Sequence, residues 1–370
     1  MQILSDRQSM VTLLAKIQDY RKRSLHLQQA LRKNPSSWGR YQSEFNQELN
    51  GVFRDLMVYV QTMESKGKAV NVERLKLLFV EKLRKYFIHG DYVAHSLKKP
   101  RGYAGDYQII DAIYQNNPRT VGYDRLFDNY FQMSAVSIAV RNRKDDFKKI
   151  ILNVAANKKG PIRVLNLASG PAREIHEALK SPVLKDRDIF FDCVEQDQGA
   201  IDFAKCLIDD PERTRFIKQN VSRIALKANI ESTMKDRYDL IYSTGLFDYL
   251  DYRLSLRLIR NLKRLLKPDG VLAISDVRDR FTNPSIFFME WVGDWNLLYR
   301  DDDTFRGIFM DAGFDEQNLI SLYEQQGLFQ YVIASDAPTQ ATKPLDRIQL
   351  HDRDVIEAFQ GSGRSIFQII

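Results

Sequence analysis

Hydrophobic residues in the first part of the chain recur at helical spacing. The spacing predicts helices over residues 1–34, 42–63 and 72–87, with a break at residues 65–67. The second helix has the clearest stripe, formed by Leu49, Val52, Phe53, Leu56, Met57 and Val60. We therefore expect an all-helical module over residues 1–134, which packs on the rest of the chain or forms a homodimer through these helices.

From residue 162 onward, short apolar runs alternate with helical patterns. A helix over residues 130–143 leads into this region, and a closing helix and a β-hairpin fill residues 304–335. Such alternation predicts an α/β domain with a Rossmann-like sheet over residues 135–335. Residues 336–370 show no clear period and are interpreted as a tail. The predicted strands lie at residues 164–167, 189–194, 214–218 and 238–243, and a fifth ends at 275–277.

The first strand runs into a turn of small residues and then a helix. Ala168, Ser169 and Gly170 form this turn before the helical pattern at 175–179. Small residues let a ligand approach the main chain closely. With only one glycine, the turn is neither a dinucleotide G-x-G-x-x-G nor a phosphate-binding P-loop. The second strand ends at Glu195, followed by Gln196 and Asp197, where a Rossmann-type fold accepts hydrogen bonds from ribose hydroxyls.

The composition is that of an ordinary globular protein, with 44% hydrophobic and 28% charged residues. No apolar run approaches the roughly 20 residues of a membrane span, and the N-terminus lacks a signal-peptide pattern. Cys193 and Cys206 are interpreted as buried small hydrophobic residues, so neither a disulfide nor a metal site is expected. These features predict a cytoplasmic protein.

Positive charge is concentrated in the first 100 residues, which carry 18 Lys and Arg against 9 Asp and Glu, whereas the remaining 270 carry 37 against 39. Such a surface could bind nucleic acid or anionic lipid. We favour the solvated face of a helical module, because no RNA-binding aromatic motif accompanies the charges. Nucleic acid is therefore not expected as a partner.

A loop at residues 96–107 concentrates hydrogen-bonding and aromatic side chains around two glycines. It contains Arg101, Tyr103, Asp106 and Tyr107. A plain linker would use Ser, Glu and Lys instead. We therefore predict a functional loop that closes over the mouth of the α/β domain and supplies substrate contacts.

An aromatic segment follows the fifth strand, at residues 281–300. Stripes of this kind are usually core, but polar groups lie within this one, and we interpret it as a pocket wall. Its candidate substrate contacts are Glu290, Trp295, Tyr299 and Arg300. On the helix before the first strand, Arg141 and Arg143 could pair with a carboxylate.

The strand and turn motifs together resemble class I S-adenosylmethionine-dependent methyltransferases. The resemblance rests on VEQD at 194–197, YDLIYSTG at 238–245 and LKRLLKPDGVLAI at 262–274. It implies a seven-stranded sheet with S-adenosylmethionine as cofactor and S-adenosylhomocysteine as product. The implied cofactor residues are Ala168, Ser169, Gly170, Glu195, Gln196, Asp197, Asn220, Val221, Thr244 and Gly245. Phe247 could close over the site.

Further segments are similar to bacterial methyltransferases described as making 3-hydroxypalmitic acid methyl ester. They are KPRGYAGD at 99–106, VRNR at 140–143, LASGPARE at 167–174, GLFDYL at 245–250 and DWNLLYR at 294–300. The similarity implies carboxyl O-methylation of a hydroxylated fatty acid. A carboxylate is already ionised at neutral pH and needs no general base.

The remaining site residues are assigned by this reaction. Arg101, Tyr103, Tyr107 and Tyr299 are the candidate catalytic residues. The candidate substrate contacts are Asp106, Arg141, Phe247, Glu290, Trp295 and Arg300. For an amine or phenol acceptor a base is needed, and His95, Asp106 or Glu290 would supply it. Two alternatives stay open: N-methylation of an amino acid or other small amine, and a cofactor-binding regulator whose helices bind nucleic acid.

Overall fold

The computed structural model describes residues 6–232 and 234–336, and it divides into two compact units. One contains the chain up to Ile138 together with Arg280–Asn296, and the other contains Ala139–Asp279 and the chain from Leu297 onward. The sequence placed the boundary at residue 134 and kept the aromatic segment in the α/β domain, whereas the structure groups residues 280–296 with the helices. Nearly all of the predicted tail lies outside the described residues.

The helical unit is built from six α-helices within the described residues. They are α1 (Asp6–Lys33), α2 (Gln42–Ser65), α3 (Ala69–Leu78), α4 (Asp91–Lys98), α5 (Tyr107–Gln115) and α6 (Gly122–Met133). The third helix was predicted over residues 72–87. In the structure its α-helical part ends at Leu78, and the chain continues as the π turn Phe79–Leu83. None of the helices in residues 6–232 and 234–336 has both the length and the apolar character required to cross a bilayer.

Aromatic packing explains why residues 280–296 belong to the helical unit. Phe288 lies 5.5 Å from Phe53 and 5.0 Å from Tyr130, measured between ring centroids. Trp291 lies 5.5 Å from Phe79 in the same way. Both residues lie in the π turn Phe288–Val292 and are buried. Much of the aromatic stripe therefore forms core, since such ring pairs add stabilisation beyond the area they bury.

Ser134 interrupts the helix that the sequence predicted over residues 130–143. Its backbone is extended, and its Oγ donates to the carbonyl of Phe131 at 2.6 Å and accepts from the amide of Ser137 at 3.3 Å. A serine in this conformation caps the next helix, which is α7 (Ala135–Asn157). The prediction of one continuous helix was wrong.

The second unit contains a sheet of seven strands in the order β3-β2-β1-β4-β5-β7-β6. The first five strands are parallel, and β7 runs antiparallel to both β5 and β6. This confirms the predicted seven-stranded Rossmann-like sheet and the N-terminal helical module. The strands are β1 (Ile162–Leu167), β2 (Ile189–Glu195), β3 (Thr214–Lys218), β4 (Tyr238–Ser243), β5 (Leu266–Val277), β6 (Leu319–Tyr323) and β7 (Phe329–Ser335).

Helices connect these strands and cover the sheet. They are α8 (Arg173–Leu179), α9 (Gln198–Ile208), α10 (Val221–Ala225), α11 (Tyr252–Lys263) and α12 (Asp302–Asp311). Apolar residues of α11 and α12 pack with those of the strands in one buried cluster, as Leu258, Phe305 and Ile274 illustrate. The predicted closing helix and hairpin are therefore present as α12, β6 and β7.

Residues 267–270, within the segment LKRLLKPDGVLAI, form a bulge in β5. Leu266 pairs with Tyr238, and the next pair joins Val271 to Leu240, so four residues of β5 have no partner in the ladder. A Cβ on Gly270 would lie 2.6 Å from the carbonyl oxygen of Tyr238. Glycine is required here because the two backbones approach too closely for a side chain.

The two cysteines have opposite environments. Cys193 in β2 is buried, and burial raises the pKa of its thiol well above the usual value. Cys206 on α9 is exposed, so the prediction that it is buried was wrong. The helical repeat explains the difference, because Ala200 and Ala204 face the sheet and a residue two positions further points away from it.

Candidate functional site at the carboxyl ends of the strands

The turn after β1 has an unusual backbone conformation. Ala168, Gly170 and Ala172 all adopt left-handed conformations, with φ values of 52°, 51° and 49°. Such a conformation costs an alanine roughly 1–2 kcal/mol. The chain therefore adopts the form of a multi-glycine loop although only one of the three residues is glycine. The alternation of small residues at 168, 170 and 172 was the sequence signal for it, and counting glycines missed it.

The same turn leaves room for a ligand. A Cβ built on Gly170 would meet no protein atom within 4 Å, so packing within the protein does not exclude a side chain there. The neighbouring Ser169 is buried, yet its Oγ has no hydrogen-bond partner among the described residues. A buried hydroxyl without a partner costs about 1–3 kcal/mol. Open space beside an unsatisfied hydroxyl fits a bound small molecule with polar groups.

Glu195 at the end of β2 locks this turn in place. Its Oε2 accepts from the amide of Gly170 at 3.0 Å, and its Oε1 accepts from the amides of Gln196 and Asp197 at 2.7 and 2.9 Å. A carboxylate has about four acceptor positions, so one is left for a ligand hydroxyl after these three bonds. The sequence predicted the ribose contact but not this positioning of the β1 turn.

The ends of β2 and β3 are joined by side chains from the predicted cofactor set. Asn220 donates to Oε1 of Gln196 at 2.8 Å and accepts from the amide of Ser222, which caps α10. Asp197 caps α9 by accepting from the amide of Gly199 at 2.8 Å. Val221 is buried next to Asn220. These residues lie at the carboxyl ends of the parallel strands, where ligands bind in open α/β folds.

The carboxyl end of β4 lies at the same end of the sheet. Ser243 donates to the carbonyl of Leu167 at 2.8 Å, which holds the ends of β4 and β1 together and places Thr244 and Gly245 beside the β1 turn. A Cβ on Gly245 would lie 3.2 Å from an Nη atom of Arg143. Of the two arginines considered on α7, Arg143 therefore lies at this end of the sheet, whereas Arg141 is half-buried elsewhere on the helix.

Arg143 belongs to a buried group of charges that the sequence did not predict. Its Nη1 lies 3.4 Å from Asp248, and its guanidinium stacks on the ring of Phe329 at 4.0 Å. Asp248 also accepts from the amide of Val277 at 2.8 Å. Asp276, the last acidic residue of β5, forms a 2.7 Å ion pair with Arg300. Only its position near the end of a strand could have drawn attention to Asp276.

The guanidinium of Arg300 forms its hydrogen bonds with groups of the protein itself. It donates to the carbonyls of Phe247 and Leu250 in addition to Asp276. Burial, and then the neighbouring Asp248, raises the pKa of Asp276 well above its usual value. The ion pair with Arg300 acts in the opposite direction and favours the ionised form of Asp276. Residues 6–232 and 234–336 contain no group of His, Cys, Asp and Glu arranged to hold a metal ion.

The loop residues predicted to contact substrate lie in the helical unit. Asp106 is fully buried, caps α5 by accepting from the amides of Gln108 and Ile109, and accepts from His95 Nε2 at 2.8 Å. Arg101 donates to the hydroxyl of Tyr107 at 3.3 Å and lies over its ring. The structure thus brings Arg101 and Tyr107 together, and it pairs Asp106 with His95.

The other predicted contacts are divided between the units. Tyr103 is half-buried in the loop, Trp295 is buried, and Glu290 pairs with Arg280 at 3.1 Å, all in the helical unit. Tyr299 is half-buried in the α/β unit, where Phe247 is buried in the 3₁₀ turn Phe247–Tyr249. The roles predicted for these residues stay predictions.

Comparison with known proteins finds similarity of structure only. No protein-family model matches the chain, and no curated protein matches it. A structure described as a possible exported protein from Bordetella parapertussis has a TM-score of 0.50 and 17% identity, covering 80% of this chain and 97% of that one.

Two methyltransferase structures are similar to parts of the chain. Magnesium protoporphyrin IX methyltransferase from Synechocystis PCC 6803, with bound SAH, has a TM-score of 0.40 and 12% identity over 55% of this chain and 87% of that one. An O-methyltransferase family protein from Burkholderia thailandensis has a TM-score of 0.39 and 14% identity over 56% and 60%. At these identities the likeness concerns the fold and not the chemistry.

Proposed function

We propose that the α/β unit binds S-adenosylmethionine and that the protein transfers its methyl group to a small-molecule acceptor. The observation that carries the proposal is the β1 turn, which is open at Gly170, has an unsatisfied hydroxyl at Ser169, and is held by Glu195. The turn lies at the carboxyl ends of the strands, where Rossmann-type folds bind nucleotides. Its sequence lacks the glycine pattern that binds pyrophosphate, which favours a ligand without pyrophosphate.

The cofactor residues have distinct roles in this proposal. Gly170 lies against the methionine and sulfonium portion, and Glu195 accepts from the ribose hydroxyls. Asn220 and Val221 flank the adenine. When bound, S-adenosylmethionine supplies an electrophilic methyl group. The remaining contacts are Ala168, Ser169, Gln196, Asp197, Thr244 and Gly245.

The proposed reaction is carboxyl O-methylation of a hydroxy fatty acid, as the motif resemblance implies. The carboxylate is ionised at neutral pH, so the protein needs to orient it and exclude water rather than remove a proton. Arg101, Tyr103, Tyr107, Arg141 and Tyr299 are the proposed donors that orient it. They must not stabilise the carboxylate charge too strongly, because that charge is lost in the transition state.

A methyl-transfer assay with tritiated S-adenosylmethionine tests the proposal. We expect label in the ester of a 3-hydroxy fatty acid and none in amine or RNA fractions. Label in an amino acid or amine would instead support N-methylation. Binding of S-adenosylmethionine in calorimetry without transfer to any fraction would indicate a cofactor-binding regulator, and failure to bind it would contradict the whole proposal.

A further inference from the structure

The helical unit contains a cavity, and none of the residues that line it belongs to the proposed cofactor site. It is formed by α4, α5, the segment before α6 and one residue of α6, and its volume is about 270 Å³. This is slightly below the usual range of ligand pockets, roughly 300–1,000 Å³, and suits a small metabolite.

His95 is held in a fixed orientation on the wall of this cavity. Its Nε2 faces both oxygens of Asp106, at 2.9 and 2.8 Å. Asp106 is itself fixed, because it is fully buried and accepts from two amides at the start of α5. The carboxylate can only accept, so Nε2 donates to it, and Nδ1 is the ring nitrogen left for a ligand. Across the described residues, His95 Nδ1 has no hydrogen-bond partner.

Asp91, in the first turn of α4, and Arg119 supply two opposite charges to the lining of the cavity. The side chains of Asp91 and Arg119 are exposed, and within the described part of the chain neither forms a hydrogen bond or an ion pair. The other carboxylate of the cavity, Asp128, is occupied, since it accepts from the amide of Tyr92 and from Thr120 Oγ at 3.2 and 2.6 Å. The cavity therefore presents one carboxylate and one guanidinium without side-chain partners among the residues that the structure describes, together with the Nδ1 atom of His95.

The rest of the lining is apolar or amide. Tyr92 and Ile109 are buried, and Ala112 also contributes to the wall. The hydroxyl of Tyr92 is already used, because it accepts from Gln132 at 2.6 Å and donates to the carbonyl of Ala112 at 3.3 Å. These groups provide a surface for an apolar side chain rather than further charge recognition.

We propose that this cavity binds a free α-amino acid. Arg119 pairs with the carboxylate of the ligand, and Asp91 pairs with its ammonium group. His95 Nδ1 accepts a further hydrogen bond from the ammonium, and the ligand side chain lies against Tyr92 and Ile109. Both charges are needed, which distinguishes a zwitterion from a simple acid or amine.

Ligand-observed NMR on the full-length protein with mixtures of the standard amino acids tests for binding, and calorimetry measures the affinity of any amino acid that binds. We expect Arg119→Gln and Asp91→Asn each to weaken binding by about tenfold or more, the effect of losing a charge-assisted hydrogen bond. The matched controls are Arg54→Gln and Asp19→Asn, exposed charges on α2 and α1 outside the cavity.

Ligand derivatives provide the complementary test. The methyl ester of the bound amino acid should bind more weakly and should no longer respond to Arg119→Gln, and the N-acetyl derivative should no longer respond to Asp91→Asn. Nitrogen-15 NMR of histidine should show a change at His95 Nδ1 on binding. If no amino acid binds, or if both variants bind as tightly as the wild type, the proposal is wrong.

Discussion

At the scale of single residues, the proposed site depends on one glycine and one carboxylate. Gly170→Val should abolish S-adenosylmethionine binding, because a side chain would fill the space left open beside Ser169. Glu195→Ala should weaken binding by about 1.5–3 kcal/mol, the contribution of hydrogen bonds to a charged group. Calorimetry measures both, with the exposed Glu212→Ala as control. Unchanged affinity in Gly170→Val and Glu195→Ala would overturn the site assignment.

The turn after β1 is strained at Ala168. Ala168 has a left-handed backbone that glycine adopts without strain. Ala168→Gly should therefore leave the free energy of unfolding unchanged or raise it by up to about 1 kcal/mol. Ala204→Gly, at a buried helical position of α9, should lower it by about 1 kcal/mol or more. Urea unfolding measures both; equal losses in the two variants would contradict the strain.

At the scale of elements, Glu324 connects the turn between β6 and β7 to α7. It is fully buried and accepts from the amides of Gln326 and Leu328 and from Asn142 at 3.1 Å. Burial raises its pKa from 4.5 to about 7. A raised folded-state pKa means that the stability contributed by this group is fully present below about pH 4.5 and is lost as the pH rises through about 7.

Replacing the carboxyl group should remove this pH dependence. In Glu324→Gln, the stability relative to wild type should increase by about 3 kcal/mol between about pH 4 and pH 8, whatever the difference at low pH. Urea unfolding curves across this range measure it. A constant difference between variant and wild type would show that Glu324 does not titrate in this way.

The loop between α4 and α5 should affect reaction with the acceptor and not cofactor binding. Tyr103→Phe, Tyr107→Phe and Arg101→Ala should lower turnover or acceptor affinity and leave cofactor affinity nearly intact. Removing the Tyr107 hydroxyl also removes its 3.3 Å bond from Arg101, so thermal unfolding should accompany the kinetics. Wild-type kinetics in all three variants on the true acceptor would make the loop a linker.

At the scale of the whole molecule, the helical unit is completed by a segment from far along the chain. Phe288 and Trp291 pack on rings of the first 130 residues. A fragment of residues 135–336 should therefore aggregate, because it exposes these aromatic side chains to water. Replacing residues 280–296 of the fragment with a short Gly/Ser linker should restore a monodisperse protein in light scattering. An intact fragment that is already monodisperse would contradict this.

The sequence by itself determined the order of the elements and the type of sheet. Apolar runs and helical stripes report local burial, and the strands at 162–167, 189–195 and 214–218 lie within two residues of their predicted positions. The end of β2 was found in the same way, because an acidic residue directly after a buried strand is visible in the sequence.

Only the tertiary structure decided which distant residues meet. Ala168 and Ala172 adopt a left-handed backbone in the connection between β1 and α8, a conformation that alanine by itself disfavours. The pairing of Asp276 with Arg300 joins residues from separate elements, and the sequence does not show that the two side chains meet. Residues 280–296 group with the helices because they pack on aromatic residues that lie more than 140 positions earlier in the chain. Such contacts depend on chain topology, which a local pattern of hydrophobic and polar residues does not encode.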